Sequence, residues 1–352
     1  MEKNQKIKQC TIVLTHDCNL RCRFCYAKRA GYHKDDFIDF EGAKRIVDFC
    51  SDAGIRYIVF TGGEPLLYPN ILDIVKYIRS RDPNIGIAIP TNGILLNDLD
   101  FCKKLIDAGV EYFDISIKGR DSQDWLKQTG RDESLKQITA IRNLSSLSVD
   151  FTCSMVVNFD NVDFFCDSVK LAYENGAKQI SFTFVIDNDK EDLKGIEYLE
   201  HNNPYSLIDR FLKQVDKLNK ITSDWWIEYS FPLCFYTKEQ MSMLKGKLAS
   251  PCQVHKENAI TFDTHMNLLP CDMFIDRSIG VFGQDFSTYD EFIQFAQGDS
   301  YKRIMKPMVE LPSNECNECQ YLEACYGGCP VLWNKYSYED VKAFRIKYRD
   351  TI

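Results

Sequence analysis

Three cysteines, Cys18, Cys22 and Cys25, lie close together near the amino terminus in the spacing C-x3-C-x2-C. They follow an apolar run, Ile12 to Leu14, that is typical of a β-strand. A loop this short can bring three thiolates to three corners of one iron–sulfur cluster, and no fourth cysteine lies nearby to take the last corner. An iron with an open position can bind and reduce a ligand, whereas a four-cysteine cluster passes electrons only. The other interpretation, a structural zinc site, typically requires four ligands and paired C-x2-C elements.

The same loop carries an aromatic residue, Phe24, between its second and third cysteines. In this form, C-x3-C-x-aromatic-C, it resembles the cluster loop of radical S-adenosylmethionine (SAM) enzymes. The resemblance implies a [4Fe–4S] cluster whose open iron chelates the amino and carboxylate groups of SAM. One electron from the reduced cluster would cleave the sulfonium bond and give methionine and a 5′-deoxyadenosyl radical, which abstracts hydrogen from an unactivated C–H bond. The cofactor would thus supply the difficult chemistry, while the protein positions the substrate.

The composition is that of an ordinary globular protein, since 45% of the 352 residues are hydrophobic and 27% are charged. The formal net charge of −8 argues against a nucleic-acid-binding protein, because no basic excess exists to neutralise phosphates. No apolar run approaches the ~20 residues that span a bilayer, and Met1 to Lys6 show no signal-peptide core. We therefore expect a cytoplasmic protein with no nucleic-acid or membrane partner. In that reducing compartment, fifteen cysteines indicate metal or cluster ligands rather than disulfides.

Strand-like and helix-like patterns alternate along the amino-terminal half of the chain, at intervals of about thirty residues. The six expected strands are Ile12–Leu14, Arg56–Phe60, Ile85–Ile89, Tyr112–Ile117, Phe151–Val157 and Gln179–Val185. Such alternation predicts a parallel sheet with right-handed crossovers and with helices outside it. Six units are too few for an eight-fold barrel. The predicted fold class is therefore α/β, a partial (β/α)6 TIM-like barrel followed by a C-terminal loop-rich cysteine domain, and the resembled family has the same core.

A glycine-rich motif, Gly62-Gly63-Glu64-Pro65, follows the second expected strand. Ligands of parallel sheets collect at the carboxyl ends of strands, where this motif would lie. Because its two glycines have no Cβ, their backbone carbonyl groups can approach a ligand closely. The carboxylate of Glu64 lies beside them. In the resembled family this segment hydrogen-bonds the amino group of SAM, a donor-only group that suits such acceptors.

Single polar residues follow the next strands. Asn92, Ser116 and Lys118 look by position like the family's contacts to the SAM carboxylate and ribose. The family often has an acid where Lys118 stands, so a lysine there would pair with the SAM carboxylate instead. Asn158, after the fifth strand, is a further candidate, and Cys153 is a candidate hydrogen donor if it faces the barrel interior. For each of the polar residues, capping of a strand end is an equally good interpretation.

A second group of cysteines, in the spacing C-x2-C-x5-C-x3-C, lies near the carboxyl terminus. It comprises Cys316, Cys319, Cys325 and Cys329. The spacing resembles the central motif of the SPASM extension, which holds auxiliary iron–sulfur clusters in many radical SAM peptide-modifying enzymes. The implied ligands of a nearer auxiliary cluster are Cys252, Cys271 and Cys329. Those of a farther one are Cys316, Cys319 and Cys325.

Each auxiliary cluster would then have three ligands from the family pattern, because no cysteine follows Cys329, where the family usually has one. Cys234 is expected to be the fourth ligand of the nearer cluster. A non-cysteine residue or the substrate would complete the farther cluster. A one-cluster version of the extension, or a zinc ribbon formed by the four motif cysteines, remains an alternative.

These features predict a radical SAM core at 1–222, a SPASM/twitch-like auxiliary domain at 223–337 and a C-terminal helix at 338–352. The leading hypothesis is an enzyme that abstracts hydrogen from a peptide or protein residue and leaves an oxidative modification such as a crosslink, as most enzymes that it resembles do. A flavodoxin- or ferredoxin-type protein would be the reductant. Because the first strand begins within about ten residues of Met1, a separate leader-binding protein would replace an N-terminal leader-binding module.

Two alternatives are carried with this hypothesis. One is a radical SAM dehydrogenase of a small molecule. The other is a non-catalytic iron–sulfur electron-transfer protein or a zinc protein. No general acid or base can be assigned from the sequence, because the five histidines show no ligand-like spacing and His16, beside the cluster loop, has the pattern of a structural residue.

Overall fold

The protein is represented by a computed structural model that describes residues 7–31, 33–186, 193–229, 231–249 and 252–349. Within these residues ten strands form one sheet. They are β1 (Gln9–Thr15), β2 (Tyr57–Gly62), β3 (Gly86–Thr91), β4 (Tyr112–Ser116), β5 (Asp150–Val157), β6 (Gln179–Phe184), β7 (Trp225–Tyr229), β8 (Ala259–Phe262), β9 (Asn267–Leu269) and β10 (Gly280–Val281). Their order across the sheet is β10-β9-β8-β1-β2-β3-β4-β5-β6-β7. Strands β1 to β7 are parallel, β8 pairs in parallel with the free edge of β1, and β9 and β10 are antiparallel.

Helices connect these strands. In the described residues they are α1 (Phe40–Asp52), α2 (Ile71–Arg81), α3 (Leu99–Ala108), α4 (Ser122–Thr129), α5 (Ser134–Ser146), α6 (Phe165–Glu174), α7 (Gly195–His201), α8 (Pro204–Leu212), α9 (Val215–Asn219), α10 (Lys238–Met243), α11 (Tyr289–Ala296), α12 (Asp299–Val309), α13 (Leu322–Cys325) and α14 (Tyr338–Arg349). Each parallel pair from β1 to β7 is joined by at least one helix, as parallel pairing requires. The predicted α/β partial barrel is confirmed. No described helix is both long and apolar enough to cross a membrane.

The sheet is longer than the sequence predicts. The region that begins at Trp225 was expected to be loop-rich, but Trp225–Tyr229 forms β7 and pairs with β6. Aromatic and β-branched residues favour strands, and four of these five residues are of those types. A segment of five residues nevertheless shows too little periodicity to be recognised as a strand from the sequence alone. Strand β8 pairs with β1, and this pairing joins segments some 250 residues apart that no local pattern connects. The helix expected at the carboxyl terminus begins at Tyr338 and continues to Arg349, and residues 350–352 lie outside the described residues.

Side-chain caps begin several of the helices on the outside of the sheet. Asp39, Asp98 and Asp121 precede α1, α3 and α4, and each carboxylate accepts a backbone N–H from the first turn. Such caps satisfy donors that have no partner inside the helix. They fix where each helix starts and therefore where the preceding strand-end loop must finish. Those loops form the site described below.

An aromatic cluster holds β7 to the rest of the sheet. Phe165 of α6 and Phe211 of α8 stack with their ring centroids 4.9 Å apart. Phe182 of β6 and Trp225 of β7 meet Phe211 edge to face. All four side chains are buried. Because aromatic side chains bury large areas and their pairs add to that burial, this cluster is a main source of stability for the last strand of the barrel.

We expect Phe211→Ala to lower the free energy of unfolding by about 3–5 kcal/mol, because it leaves a cavity at the centre of the cluster. Urea denaturation followed by circular dichroism measures the change. The control is Leu135→Ala on α5, since Leu135 is 78% exposed and a surface truncation should cost no more than about 0.5 kcal/mol. Equal losses in the two variants would show that the cluster does not carry this part of the fold.

Candidate active site

The carboxyl ends of β1 to β5 surround a cavity of about 230 Å³. This is several times the roughly 30 Å³ that one water molecule occupies in the liquid, so the cavity has room for a ligand. Its lining includes all three cysteines of the amino-terminal loop and every predicted strand-end residue of the cofactor site. These are Cys18, Cys22, Cys25, Gly62, Gly63, Glu64, Pro65, Asn92, Ser116 and Lys118. The lining also includes Tyr26, Thr91, Asp114 and Ser154, which the sequence analysis did not single out.

The cysteine loop is held from outside by α4, a helix that the sequence analysis missed. The backbone N–H groups of Arg21 and Arg23 donate to the carbonyl oxygens of Thr129 and Gln128, at 3.0 and 2.9 Å. Beneath them Leu20 packs with Ile94 and Trp125 in a small apolar cluster apart from the main core. The loop is therefore fixed both by backbone pairing and by one buried anchor.

The three thiols of the loop are close enough to affect one another. The pKa of Cys18 is raised to about 12, first by desolvation and then by the charges of Glu64, Cys22 and Cys25, although the hydrogen bond from the Leu20 N–H lowers it. That N–H lies 3.4 Å from the Cys18 sulfur. Desolvation also raises the pKa of Cys22, and the ammonium of Lys118 opposes it. Thiols in such a setting hold their protons until a metal replaces them, and the N–H donor and the cation both suit a metal-bound thiolate.

The two glycines of the motif after β2 allow the backbone to approach the cysteine loop. A Cβ on Gly62, whose φ is 149°, would overlap the carbonyl oxygen of Thr15, and a Cβ on Gly63 would overlap that of Asp17. The N–H of Gly63 donates to the Thr15 oxygen, and the N–H of Glu64 donates to the Asp17 oxygen, both at 2.8 Å. We had expected these glycines to admit a ligand. The structure shows that they also bring this segment against the start of the cysteine loop, while both still line the cavity.

Glu64 links the ends of β2 and β3. Its carboxylate accepts from the Thr91 hydroxyl at 2.6 Å, from the Asn92 N–H at 2.8 Å and from the Leu66 N–H at 3.2 Å. Burial raises the pKa of this carboxyl, which is 1% exposed, whereas the three hydrogen bonds and the charge of Lys118 lower it. The carboxylate is thus an acceptor that the protein has already oriented at the cavity wall.

Asn92 connects the end of β3 to the cysteine loop. Its side-chain N–H donates to the Asn19 side-chain oxygen at 2.7 Å, and its own side-chain oxygen accepts from the Ile94 N–H at 3.0 Å. The buried side chain of Gln137 then donates to the carbonyl oxygens of both Asn92 and Ser116, at 2.7 and 3.0 Å. The sequence analysis missed Gln137, although a polar residue on the apolar face of a predicted helix was a usable signal.

Lys118 is the one cation among the residues that line the cavity. Its ammonium donates to the Ser116 hydroxyl at 2.6 Å and lies 5.2 Å from the centre of the Phe24 ring. The aromatic residue of the cysteine loop therefore holds this lysine by a cation–π contact. The structure thus fixes this cation at the cavity wall, and its pairing with the SAM carboxylate stays a prediction.

Asp114 is a cavity residue that lies deeper in the barrel. One oxygen of its carboxyl is buried and has no hydrogen-bond partner among the described residues. Desolvation and then the charge of Glu228, on β7, raise the pKa of Asp114 to about 7, while a hydrogen bond from Ser154 and the charge of Lys118 lower it. The two-residue period of β4 puts Asp114 on the same face as Ser116, so the sequence contained a signal for this acid.

Two other sequence candidates, Asn158 and Cys153, lie outside this cavity. The side chain of Asn158 accepts from the Asp160 N–H at 2.9 Å, which is the turn role that we had weighed against ligand binding. Cys153 pairs in register with Ile115, whereas its neighbour Ser154 pairs with Ser116 and lines the cavity. Cys153 therefore faces the helices, and its expected role as a hydrogen donor inside the barrel is wrong.

The remaining metal-ligand candidates fall into two groups. We name Cys252, Cys271 and Cys329 the nearer set. Desolvation first, and then the charges of Asp272, Cys329 and Cys252, raise the pKa of Cys271, so these thiols are neighbours. We name Cys234, Cys316, Cys319 and Cys325 the farther set, because all four line one small cavity.

This grouping corrects the expected position of Cys234, which the sequence analysis assigned to the nearer cluster. It also divides the C-x2-C-x5-C-x3-C motif, since Cys329 lies with the nearer set and the first three motif cysteines do not. This division of the motif is the one that the resemblance to the SPASM extension implied. The spacing does not reveal the place of Cys234, because this residue comes from a segment some 80 residues before Cys316. All fifteen cysteine thiols are free.

Tyr26 and Asp272 connect the cavity to the nearer set. The Tyr26 hydroxyl donates to the Asp272 carboxylate at 2.9 Å. Tyr26 lines the cavity beside Cys25, and Asp272 directly follows Cys271. The nearer set is therefore one hydrogen-bonded pair away from the candidate active site.

The family model for the radical SAM superfamily matches residues 12–193, just over half of the chain. The chain belongs to the radical SAM superfamily. Members of this superfamily use a [4Fe–4S] cluster and SAM. A GTP 3′,8-cyclase of Clostridium perfringens is 33% identical to this radical SAM protein over 175 residues, which are 49% of this chain and 53% of the cyclase. The alignment thus spans about half of the cyclase.

Two solved structures share the fold of this radical SAM protein over almost its whole length. One is anSMEcpe with bound AdoMet, that is, SAM, with a TM-score of 0.69 at 19% identity, covering 97% of this chain and 96% of the other. The second is Streptococcus suis SuiB bound to its precursor peptide SuiA, with a TM-score of 0.67 at 16% identity, covering 95% and 75%. At such low identities these similarities show a common fold, which extends through the carboxyl-terminal cysteines.

We expect Gly63→Ala to weaken SAM binding and to slow reductive SAM cleavage by about 100-fold, because displacing a positioned group by an ångström has effects of that size. Calorimetry and the release of 5′-deoxyadenosine measure the two. The control is Gly246→Ala. Because the φ of Gly246 is 75°, a side chain there adds backbone strain, although no atom lies near the new Cβ. A similar loss in both variants would mean that replacing a glycine far from the site has the same effect, and that the close approach to Asp17 is not the cause.

We expect Asp114→Asn to gain stability relative to the unmutated protein as the pH rises from 6 to 8.5. The pKa of Asp114 is raised from 3.8 to about 7 on folding, so the native carboxyl keeps a proton that the unfolded chain has lost. The free energy of unfolding of the unmutated protein then falls as the pH rises from the pKa of this group in the unfolded chain to its pKa in the folded protein, and it stays low at higher pH. Asparagine cannot ionise, and the difference in unfolding free energy should change by about 1 kcal/mol. Urea denaturation at both pH values measures it, with Asp100→Asn as the control for loss of an exposed carboxylate. A difference that does not change with pH would contradict the raised pKa.

Proposed function

We propose that this radical SAM enzyme abstracts hydrogen from a residue of a peptide or protein and leaves an oxidative modification such as a crosslink. The observation that carries the proposal is the single cavity that gathers a three-cysteine loop, oriented polar groups at the ends of four strands and an acid deeper in the barrel. Two further cysteine sets beyond Tyr26 and Asp272 favour a net oxidation, because an oxidised product must give up an electron.

In this proposal Cys18, Cys22 and Cys25 hold the first cluster, and the fourth iron is left for SAM. Glu64 and the carbonyl groups of the adjacent glycines accept from the SAM amino group. Lys118 meets the SAM carboxylate, while Asn92 and Ser116 serve the polar groups around it. The bound groups supply one-electron chemistry, namely a 5′-deoxyadenosyl radical at the first site and electron acceptance at the auxiliary ones.

In this proposal the protein's own residues position the substrate and accept the proton that it loses. Asp114 and Ser154 lie at the inner end of the cavity, where the reacting residue would be held. Asp272 is held by Tyr26 at 2.9 Å beside the nearer set, so it can receive a proton from a substrate group that loses one during oxidation. The partly protonated state of Asp114 near pH 7 would let it donate a hydrogen bond as well as accept one.

The charges of the cavity favour a peptide over a nucleotide. Among the residues that line it, Glu64 and Asp114 are acids and Lys118 is the one cation. A triphosphate needs several cations or a metal to offset its charge, whereas amide and hydroxyl donors of a peptide suit carboxylate and serine acceptors. SuiB, with a similar fold, is bound to a precursor peptide.

A small-molecule substrate is the second candidate, and the sequence relatives favour it. The Clostridium perfringens relative is named GTP 3′,8-cyclase. In either case we propose a flavodoxin- or ferredoxin-type reductant. For a peptide substrate we also propose a separate leader-binding protein. Auxiliary clusters at the nearer and farther sets are part of both versions.

The first experiment tests the radical SAM chemistry. Anaerobically reconstituted enzyme with SAM and dithionite should release 5′-deoxyadenosine and methionine, and Cys22→Ala should reduce the rate at least about 100-fold, since the cluster loses a ligand. The control is Cys166→Ala, because Cys166 is a buried thiol of α6 outside the three cysteine groups. Equal rates in the two variants would remove the amino-terminal loop from the mechanism.

The second experiment separates the two substrate classes. The same enzyme is incubated with peptides encoded beside its gene and, separately, with GTP. A peptide that loses the mass of two hydrogens, only when SAM and reductant are both present, supports the proposal. Conversion of GTP with every peptide unchanged would replace it by the small-molecule version.

A further inference from the structure

We propose that Cys234 completes a four-cysteine iron–sulfur site with Cys316, Cys319 and Cys325. These four residues line one cavity of about 50 Å³. The cavity is walled mainly by apolar groups, among them Pro232 and Trp333. A site of four thiols with apolar walls suits a compact inorganic group.

The backbone brings the two distant segments of this site together. Tyr326, Gly327 and Gly328 all have left-handed φ values, of 47°, 83° and 82°. A Cβ on Gly328 would lie 2.8 Å from the Pro232 side chain. The reversed backbone after Cys325 thus allows its segment to pack directly against the turn that begins at Pro232 and contains Cys234.

The sulfurs of the site receive backbone hydrogen bonds across and within these segments. The N–H of Leu233 lies 3.4 Å from the Cys325 sulfur, and the N–H of Tyr321 lies 3.5 Å from the Cys319 sulfur. Because Leu233 directly precedes Cys234, one short turn presents both a thiol and a backbone donor to the site. Hydrogen bonds to sulfur stabilise the anionic, metal-bound form and tune its potential.

The ligand chemistry decides what such a site can do. No three His, Cys, Asp or Glu side chains among the described residues converge closely enough to hold one metal ion. A [4Fe–4S] cluster takes its four thiolates on four separate irons and therefore holds them farther apart than a single zinc ion does. With four cysteine ligands, the farther cluster has no open iron and passes electrons, whereas the nearer set has three cysteines.

The experiment measures iron and sulfide in the full chain after anaerobic reconstitution, without SAM or substrate, so its outcome does not depend on the proposed function. Cys234→Ala and Cys319→Ala should each lower the iron content by about four per chain, the content of one [4Fe–4S] cluster. The double variant should lose no more than either single one, because both residues serve the same cluster. Combining Cys234→Ala with Cys252→Ala should give additive losses. The control is Cys166→Ala.

Three results would overturn the proposal. The first is a Cys234→Ala variant in which both the iron content and the Mössbauer spectrum of the farther cluster stay unchanged. The second is losses that add with Cys319→Ala but not with Cys252→Ala, and the third is zinc in place of iron at the farther set. Circular dichroism checks that each variant is folded. Cys234→Ser, which nearly preserves the side-chain volume, is measured beside Cys234→Ala, and Mössbauer spectra of both should show the loss of the same fully cysteine-ligated cluster.

Discussion

The close approach of the Gly62-Gly63 segment to the start of the cysteine loop is the constraint on which the site depends. Two backbone hydrogen bonds of 2.8 Å hold the segments together, and no side chain could fit between them. Glu64, which follows directly, then reaches the end of β3, and Asn92 reaches back to the loop at Asn19. These short contacts thus fix the positions of the three thiols relative to the paired strands of the sheet. Because each contact involves a buried or half-buried polar group, a lost partner would leave an unsatisfied group behind.

Electrostatics adds a second layer to this arrangement. The cavity combines desolvated thiols, two carboxyls and one lysine, so no group in it is solvated as it would be in water. The charge of Lys118 opposes the rise in the pKa of Cys22 that desolvation causes, and it also lowers the pKa values of Glu64 and Asp114. One ammonium, held by Ser116 and Phe24, therefore influences the cluster loop, the motif after β2 and the interior acid together.

The parts of the fold that sequence could predict are those with a local pattern. The first six strands, the cysteine loop and the Gly62–Pro65 motif each form a continuous stretch of sequence. The strand-end residues chosen with them, except Asn158, line one cavity. What could not be predicted depends on pairing between distant segments. Strand β8 joins β1, and α4 meets the cysteine loop, through backbone contacts that leave no periodic trace. The sequence contained a signal for Asp114 and Gln137, because each is a polar residue on an otherwise apolar face. Neither follows the end of a strand, which is where the predicted site residues lie.

The two carboxyl-terminal cysteine sets show that the spacing of cysteines along a chain does not by itself identify which of them bind the same cluster. The zinc-ribbon alternative puts the four motif cysteines, which lie within fourteen residues, in one site, but left-handed residues 326–328 turn the backbone between the third and the fourth. Cys325 then faces the turn that contains Cys234, while Cys329 faces Cys252 and Cys271. The turn therefore lets one short motif serve two sites, and it makes their ligand numbers unequal. The set with three cysteines is the one linked through Asp272 and Tyr26 to the cavity, so any incomplete coordination lies on the side where substrate would be held.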